Sequence, residues 1–528
     1  MNVAPRNSRP LTQGLSVRQT LLAMLGLCCV VMMVAIDQTV VGTALPTVVA
    51  ELNGFELYAW VGTSYLLASV IMVPVFGRLG DYYGRKPFVI AAIAVFSIAS
   101  VLCGMAGSML QLVLARGLQG VGGGMLVGTA FACIPDLFPD PRVRLRWQVM
   151  FSSAYGLANA VGPTLGGVLT HHLGWRSVFY VNVPISLLGL WLIAVYLPRI
   201  RHQQGSAIRL DWPAALLIAA CMTSLQLFVQ FLPNRGLDAT VAACGAAVVL
   251  TGVALYFRER HCSHPLLPLE LFHNRSMATL FGLSALLGVA MFGMLFYVPL
   301  LLQGGFALSP QVAGFVITPL VVCITVASIC NSRILMRLPN PTVMLYVGFA
   351  LLVVATAGLL VVGRSTSLWL MAGFLVLGGL GMGFLLPNLM VFSQEIAGRA
   401  HLGIATAVLQ STRMIGGMIG MATVGSLVNY HYVNQIRRAA ADQGLPSPAS
   451  RLEDPQLLVN AHQQADFVSG MHSLGIDGAA LIELARSAMV SAVHWGLVLV
   501  VLAMVAGFFW VRCVGKVVLV RDAGSAGN

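Results

Sequence analysis

The sequence predicts an all-α polytopic membrane protein with fourteen spanning helices. Of its 528 residues, 58% are hydrophobic and only 9% are charged, whereas soluble domains average about 25% charged. The apolar residues fall in unbroken runs of about 20, the length a helix needs to cross a bilayer. The basic residues gather in alternate connections between those runs. Inside lipid the backbone must satisfy its own hydrogen bonds, which leaves helices or a closed barrel. Barrel strands would alternate over stretches of about ten residues. The runs here are long and continuous, so helices follow.

In chain order the runs fall at 20–44, 57–77, 88–107, 110–133, 147–170, 177–197, 212–232, 239–257, 277–302, 311–331, 342–363, 368–391, 402–428 and 489–511. Short segments connect them, except for residues 429–488. With the N-terminus inside, the inner segments hold 21 of the 30 basic residues and the short outer loops hold 3. That bias predicts both termini on the cytoplasmic side of the membrane. Residues 1–16 carry two arginines and no apolar core, so they read as a cytoplasmic tail rather than a cleaved leader. The net charge of +12 is scattered, one to three basic residues per loop, which speaks against a nucleic-acid partner. Most of the ten cysteines lie within apolar runs, and their spacing is that of neither a disulfide framework nor a metal site.

A faint repeat divides the chain. GLQGVGGG at 117–124 is echoed by GGLGMG at 378–383, and GPTLGG at 162–167 by IGGMIG at 415–420. The division is a tail at 1–19, a six-helix bundle at 20–197 and an inserted helix pair with linkers at 198–275. A second six-helix bundle follows at 276–511, including the outer loop 429–488, and then a tail at 512–528. Two halves around a midplane site suit alternating access.

One residue stands against this apolar background. Asp37 is the only carboxylate read as lying deep within a span, where a charge costs from roughly 2.5 to over 10 kcal/mol. Arg116, in LARGLQGVGGG at 114–124, also lies inside a span. At 1.5 Å per residue, Asp37 stands about 24 Å from the inner entry of its span, and Arg116 about 10 Å from the outer entry of its own. Their depths match, so they can share a network if the two spans are neighbours. A static structural ion pair is the plainer alternative.

Other polar features follow the same order. The inner loop GRLGDYYGRKP at 77–87 needs a glycine for its turn, at Gly77, Gly80 or Gly84. There Asp81 is expected at a helix N-terminus and Arg85 as a basic anchor; an ordinary basic loop would look the same. Residues 154–169, AYGLANAVGPTLGGVL, carry Gly156, Gly162, Pro163, Gly166 and Gly167. They suit either a pivot or a packing notch, and the two are compatible. Candidates for a substrate cavity are Tyr65, Gln119, Tyr155, Asn159, Phe292, Phe296, Tyr297, Gln303, Asn388, Gln410 and Arg413. Aromatic, amide and methionine linings suit a pocket that repacks around varied ligands. No phosphate-cradling loop of the GxxxxGK[ST] type and no catalytic constellation appears, so neither ATP as energy source nor an enzyme is expected.

Together these motifs resemble the major facilitator superfamily, specifically the fourteen-span drug:proton antiporters of the EmrB/QacA type. IDQTVVGTALP at 36–46 resembles that group's first-span motif, with Gly42 in place of the usual Asn. GRLGDYYGRKP resembles the superfamily's loop motif, LARGLQGVGGG its fourth-span motif, and GLANAVGPTLGGVL the fifth-span motif associated with antiport. WRSVFYVNVPIS at 175–186 resembles the entry to span six. QGGFALSPQVAGFVITP at 303–319 and RMIGGMIGMA at 413–422 resemble parts of the second half.

The resemblance implies a major facilitator fold whose two halves rock about a central cavity. It implies Asp37 as the proton-coupling carboxylate and Arg116 as its modulator. It further implies that Gly77, Asp81, Gly84 and Arg85 form an inner latch, and that Gly162 and Pro163 shape a bend. Gly42 leaves open which group holds Asp37. The expected activity is drug:proton antiport of small amphiphiles, neutral or weakly anionic, with protons as the coupling ion and no cofactor. The alternatives are a dedicated metabolite exporter or proton symporter on the same fold, and a membrane partner acting through residues 429–488. Besides lipid, that segment is a candidate dock for a periplasmic adaptor protein.

Overall fold

The regular structure is helical throughout the described residues of this computed structural model, which are 17–138, 141–198, 211–235, 238–262, 270–335, 338–397, 402–442, 451–474 and 476–515. In chain order the helices are α1 (Val17–Leu52), α2 (Tyr58–Tyr83), α3 (Arg85–Gly104), α4 (Met109–Leu137), α5 (Pro141–Leu173), α6 (Ser177–Tyr180), α7 (Asn182–Tyr196), α8 (Trp212–Arg235) and α9 (Ala239–His261). Then come α10 (Glu270–His273), α11 (Arg275–Leu300), α12 (Pro310–Leu335), α13 (Val343–Leu360), α14 (Leu368–Ala397), α15 (Leu402–Asp442), α16 (Ala461–His472) and α17 (Gly478–Trp510).

Among the described residues, 12 helices are long and apolar enough to cross a membrane, against the fourteen expected. The two long helices outside that set are α5, with 33 residues, and α15, with 41. Their small and polar residues lower their hydropathy. The same residues let both helices pack at the middle of the bundle, where α5 lies against α1 and α12, and α15 against α11, α17 and α2.

Three of the boundaries that differ from the sequence reading change the account of a segment. First, the chain turns after Asp81, which lies in the last turn of α2 rather than at a helix start. Gly84 makes the turn at φ 86°, in the left-handed region where a side chain is strained. Gly77 and Gly80 stay inside α2. The side chain of Asp81 lies outside the described residues.

The second and third differences concern the long connection after run 13. Helix α15 continues to Asp442, and α17 already starts at Gly478. Between them a short turn at Pro455–Leu458 and α16 bury Leu452, Leu457, Leu458, Phe467 and Met471. The sequence suggests helix-like stretches near 455–467 and 477–487 in this segment, and α16 and the first turns of α17 lie there. Residues 445–450, LPSPAS, which the sequence suggests as a hinge, lie outside the described residues.

The packing order repeats. Helix α4 lies against α2 and α3, and α14 against α12 and α13. Likewise α1 packs on α5 and α7, and α11 on α15 and α17. The glycine motifs make these contacts. A side chain at Gly124 would stand 2.7 Å from the Ser69 carbonyl on α2, and one at Gly383 2.5 Å from the Ile324 carbonyl on α12. One at Gly166 would stand 2.7 Å from the Val40 carbonyl on α1, and one at Gly420 2.8 Å from Val289 Cα on α11. Only glycine lets the backbones come so close.

Where the two sets of helices meet, the described contacts gather toward the end of the bundle opposite Val17, called here the distal end. Tyr58 Oη donates to the Phe296 carbonyl at 2.7 Å, and Gln303 Nε2 to the Thr43 carbonyl at 2.7 Å. Asn460 Nδ2, from the segment before α16, donates to the Ala50 carbonyl at 3.0 Å. Pair α8–α9 lies to one side, with α8 against both α2 and α15.

Candidate functional site: a buried carboxylate and its donors

Asp37 is 1% exposed, on the face of α1 turned toward α4 and α7. Arg116 and Gln119 stand three apart on α4 and so share a face. Arg116 Nη1 donates to Asp37 Oδ2 at 2.7 Å, and Gln119 Nε2 to Asp37 Oδ1 at 2.7 Å. Asn182, the first residue of α7, donates through Nδ2 to the same Oδ1 at 3.0 Å. The carboxylate thus meets three donors. An ionised carboxylate offers only acceptors, so this surrounding fits the charged form.

A second ring of contacts orients the first. Gln119 Oε1 accepts from Arg116 Nη1 at 2.6 Å, and Gln119 Nε2 also donates to Ser100 Oγ at 2.8 Å. Reversing that amide would turn its oxygen toward the carboxylate, so the network sets one orientation. Arg116 Nε donates to the Val61 carbonyl at 3.3 Å. The guanidinium lies 4.6 Å from the centre of the Tyr65 ring, a cation–π contact worth about 2 kcal/mol when desolvated. Arg116, Gln119, Ser100 and Asn182 are all 0–1% exposed.

The sequence placed Asp37 and Arg116 at one depth, and the structure brings them into contact. It leaves Gly42 out of the network. A side chain at Gly42 would lie 2.7 Å from the Leu295 carbonyl, so the position serves the α1–α11 approach. Asn182 supplies the missing amide instead. It was overlooked because it sits at a span entry, yet it was a polar residue in an apolar stretch. Ser100 gives no signal beyond being one of two hydroxyls in α3, with Ser97.

Several cavity candidates are placed differently. Gln119 and Tyr65 belong to the Asp37 network. Phe292, Phe296 and Tyr297 are buried in helix packing, and Tyr297 Oη donates to the Met421 carbonyl at 2.8 Å. Gln303 joins the two sets of helices, accepting from Thr47 Oγ1 at 3.2 Å besides its bond to Thr43. Asn388 pairs with Asn331 through two amide bonds of 2.9 and 3.0 Å. Gln119, Gln303 and Asn388 are thus hydrogen-bonded within the helix packing, whereas the buried Tyr65 hydroxyl has no hydrogen-bond partner among the described residues.

Tyr155, Asn159, Gln410 and Arg413 are half-buried. Tyr155 Oη reaches Gln38 Oε1 at 3.5 Å, and Asn159 Nδ2 donates to the Tyr155 carbonyl at 3.0 Å. Arg413 donates to Gln410 and lies within electrostatic reach of Tyr155 on the opposite set. Among the described residues no carboxylate forms an ion pair with Arg413. The glycines of the α5 motif face two ways. Gly162 and Gly166 meet Thr39 and Val40 on α1, while Gly156, Pro163 and Gly167 meet Thr325, Gly314 and Pro310 on α12. The motif thus lies between helices of both sets.

The family model for the Major Facilitator Superfamily matches residues 27–421. This chain belongs to that superfamily. Two Bacillus subtilis proteins are similar along most of their length. The multidrug transporter protein MdtP is 32% identical over 79% of this chain and 76% of its own, and multidrug resistance protein 3 is 30% identical over 87% and 90%. The fold resembles a bacterial homologue of the human lysosomal transporter Spinster, solved inward-facing and unoccupied. The TM-score is 0.67 at 16% identity, over 94% of this chain and 98% of that one. The protein is therefore a multi-pass membrane transporter of the superfamily rather than an enzyme.

Proposed function

We propose that the protein is a drug:proton antiporter of the fourteen-span type, which exports small amphiphiles from the bacterial cytoplasm by alternating access. The observation that carries the reading is Asp37, an ion-paired carboxylate buried where lipid or packed helix would otherwise exclude it. A carboxylate stripped of donors in apolar surroundings takes up a proton, and one that regains them releases it. Asp37 draws its donors from α4 and α7, so a shift of α1 against those helices changes the donor set. All three helices belong to one six-helix half, so that shift is a bend of α1 within its half as the two halves rock, and α5 and α15 then count as the thirteenth and fourteenth spans. The helices α8 and α9 are the inserted pair.

The distal contacts support a closed outer side, with the positive-inside bias placing both termini in the cytoplasm. In that orientation the arrangement corresponds to the inward-facing state named for the Spinster homologue. The names of the Bacillus relatives support a drug-like cargo. Arg413 is a half-buried cation that no acid pairs with among the described residues, whereas Asp37 is engaged by Arg116. That balance favours neutral or weakly anionic amphiphiles over dications. Residues 77–87 are the inner latch in this reading.

The test is transport in proteoliposomes under an imposed pH gradient. Asp37→Asn is expected to cut gradient-driven export by about 10²–10⁴-fold, the range for removing a proton-transfer group. Downhill movement of the same compound should persist. Gradient-driven export at the wild-type rate would overturn the coupling role.

A further inference from the structure

At the distal end, away from the Asp37 network, a cavity of about 690 Å³ lies between α16 and the first turns of α17. Val468 and Ile482 line its apolar side, and Gln464, His472, Glu483 and Arg486 its polar side. Arg486 is only 7% exposed. Its Nη2 donates to Gln464 Oε1 at 3.2 Å, and its Nε stands 3.7 Å from Glu483 Oε1, beyond hydrogen-bond distance. Its Nη1 is buried without a hydrogen-bond partner. Glu483 is already engaged by Arg364 and is largely exposed. Two guanidinium groups thus share one carboxylate, and the more buried of the two is the less satisfied.

A buried cation with an open donor beside an apolar wall fits one kind of ligand. We infer that this cavity binds a compact amphiphilic monoanion, its carboxylate, sulfonate or phosphate on Arg486 and Gln464 and its apolar body against Val468 and Ile482. Such a ligand supplies the acceptor that Nη1 lacks. It also bridges α16 to α17, and so stiffens the segment that reaches the end of α1 through Asn460. The site is independent of the direction of transport and of Asp37. The anion is either a free solute or a lipid headgroup, since both carry the same recognised group.

The experiment is amide hydrogen exchange of the full chain in zwitterionic nanodiscs, with naphthalene-2-sulfonate as probe and the uncharged naphthalene-2-sulfonamide as control. Exchange across residues 461–472 is expected to slow about tenfold with the sulfonate at ten times its Kd, and not with the sulfonamide. Arg486→Gln is expected to abolish the slowing. Val468→Trp, which fills the apolar side and keeps Arg486, should abolish it too, and decides the matter if Arg486→Gln fails to fold. Nanodiscs containing anionic phospholipid separate the two sources. Slow exchange there without probe, lost in the variant, identifies a headgroup; no change there identifies a free solute. Equal slowing by the sulfonamide, or slowing retained in the folded variant, would overturn the site.

Discussion

The helices before α8 and those after α10 share one frame but divide their polar chemistry unequally. Glycines hold α4 against α2 and α3, and a matching set holds α14 against α12 and α13. Yet α4 carries Arg116 and Gln119, whereas α14 has no charged residue before Glu395. Helix α11 stands where α1 stands in the first set, and from Met277 to Leu300 it has no charge at all. Where the first set buries an ion pair with three amide and hydroxyl partners, the second buries Phe292, Phe296 and Tyr297. In α15 of that set, Arg413 is half-buried and bonded to an amide. Glycine spacing thus builds the fold in both halves, and a buried ion-pair network is added to the first of them.

The largest expected difference is between the two arginines. Arg116→Ala leaves Asp37 buried without its cation, which costs about 3–5 kcal/mol. Thermal unfolding in detergent should show a large fall in Tm. Arg413→Ala removes no ion-pair partner and gives up one side-chain hydrogen bond, about 1 kcal/mol. It should instead change which compounds are exported, reducing anionic cargo more than neutral cargo in a growth-protection panel. Equal losses of Tm in the two variants would dissolve the contrast between the halves.

A smaller effect sharpens the first half alone. Asn182→Ala removes one of three donors to a charged group, worth about 1.5–3 kcal/mol. Tm should fall by less than in Arg116→Ala, and gradient-driven transport should weaken without vanishing, because Arg116 and Gln119 still hold the carboxylate. A transport rate as low as that of Asp37→Asn would mean that Asn182 has a larger part than orienting it.

The frame was more legible in the sequence than the site. Apolar run length and glycine spacing are local patterns, and they gave the helices and the repeat. Depth arithmetic along straight helices was enough to bring Asp37 and Arg116 together. It could not distinguish a polar side chain that faces a cavity from one that faces a buried partner, because both occur once in an apolar run. Gln119 and Asn388 therefore read alike in the sequence, although the first meets Asp37 and the second Asn331. Asn182 was missed for the complementary reason: its partner lies 145 residues away along the chain. The length of α15 was also hidden, because residues 429–442 are polar and helix α15 simply continues through them.

The smallest effect tests the seam between the halves. Tyr58 is buried at the distal end, with its ring 5.7 Å from that of Tyr297 and its hydroxyl on the Phe296 carbonyl. Tyr58→Phe keeps the ring contact and removes one hydrogen bond that joins the two sets. A neutral bond of this kind is worth about 0.5–1.5 kcal/mol. The bond exists only while the distal ends touch, so its loss shifts the balance toward separation by about two- to tenfold. Thr47, half-buried beside Gln303 on the same seam, offers the readout. In a background without the native cysteines, Thr47→Cys should react with a membrane-impermeant maleimide faster by that factor once Tyr58→Phe is added. An unchanged rate would mean that backbone packing at the glycines, rather than this bond, keeps the distal end shut.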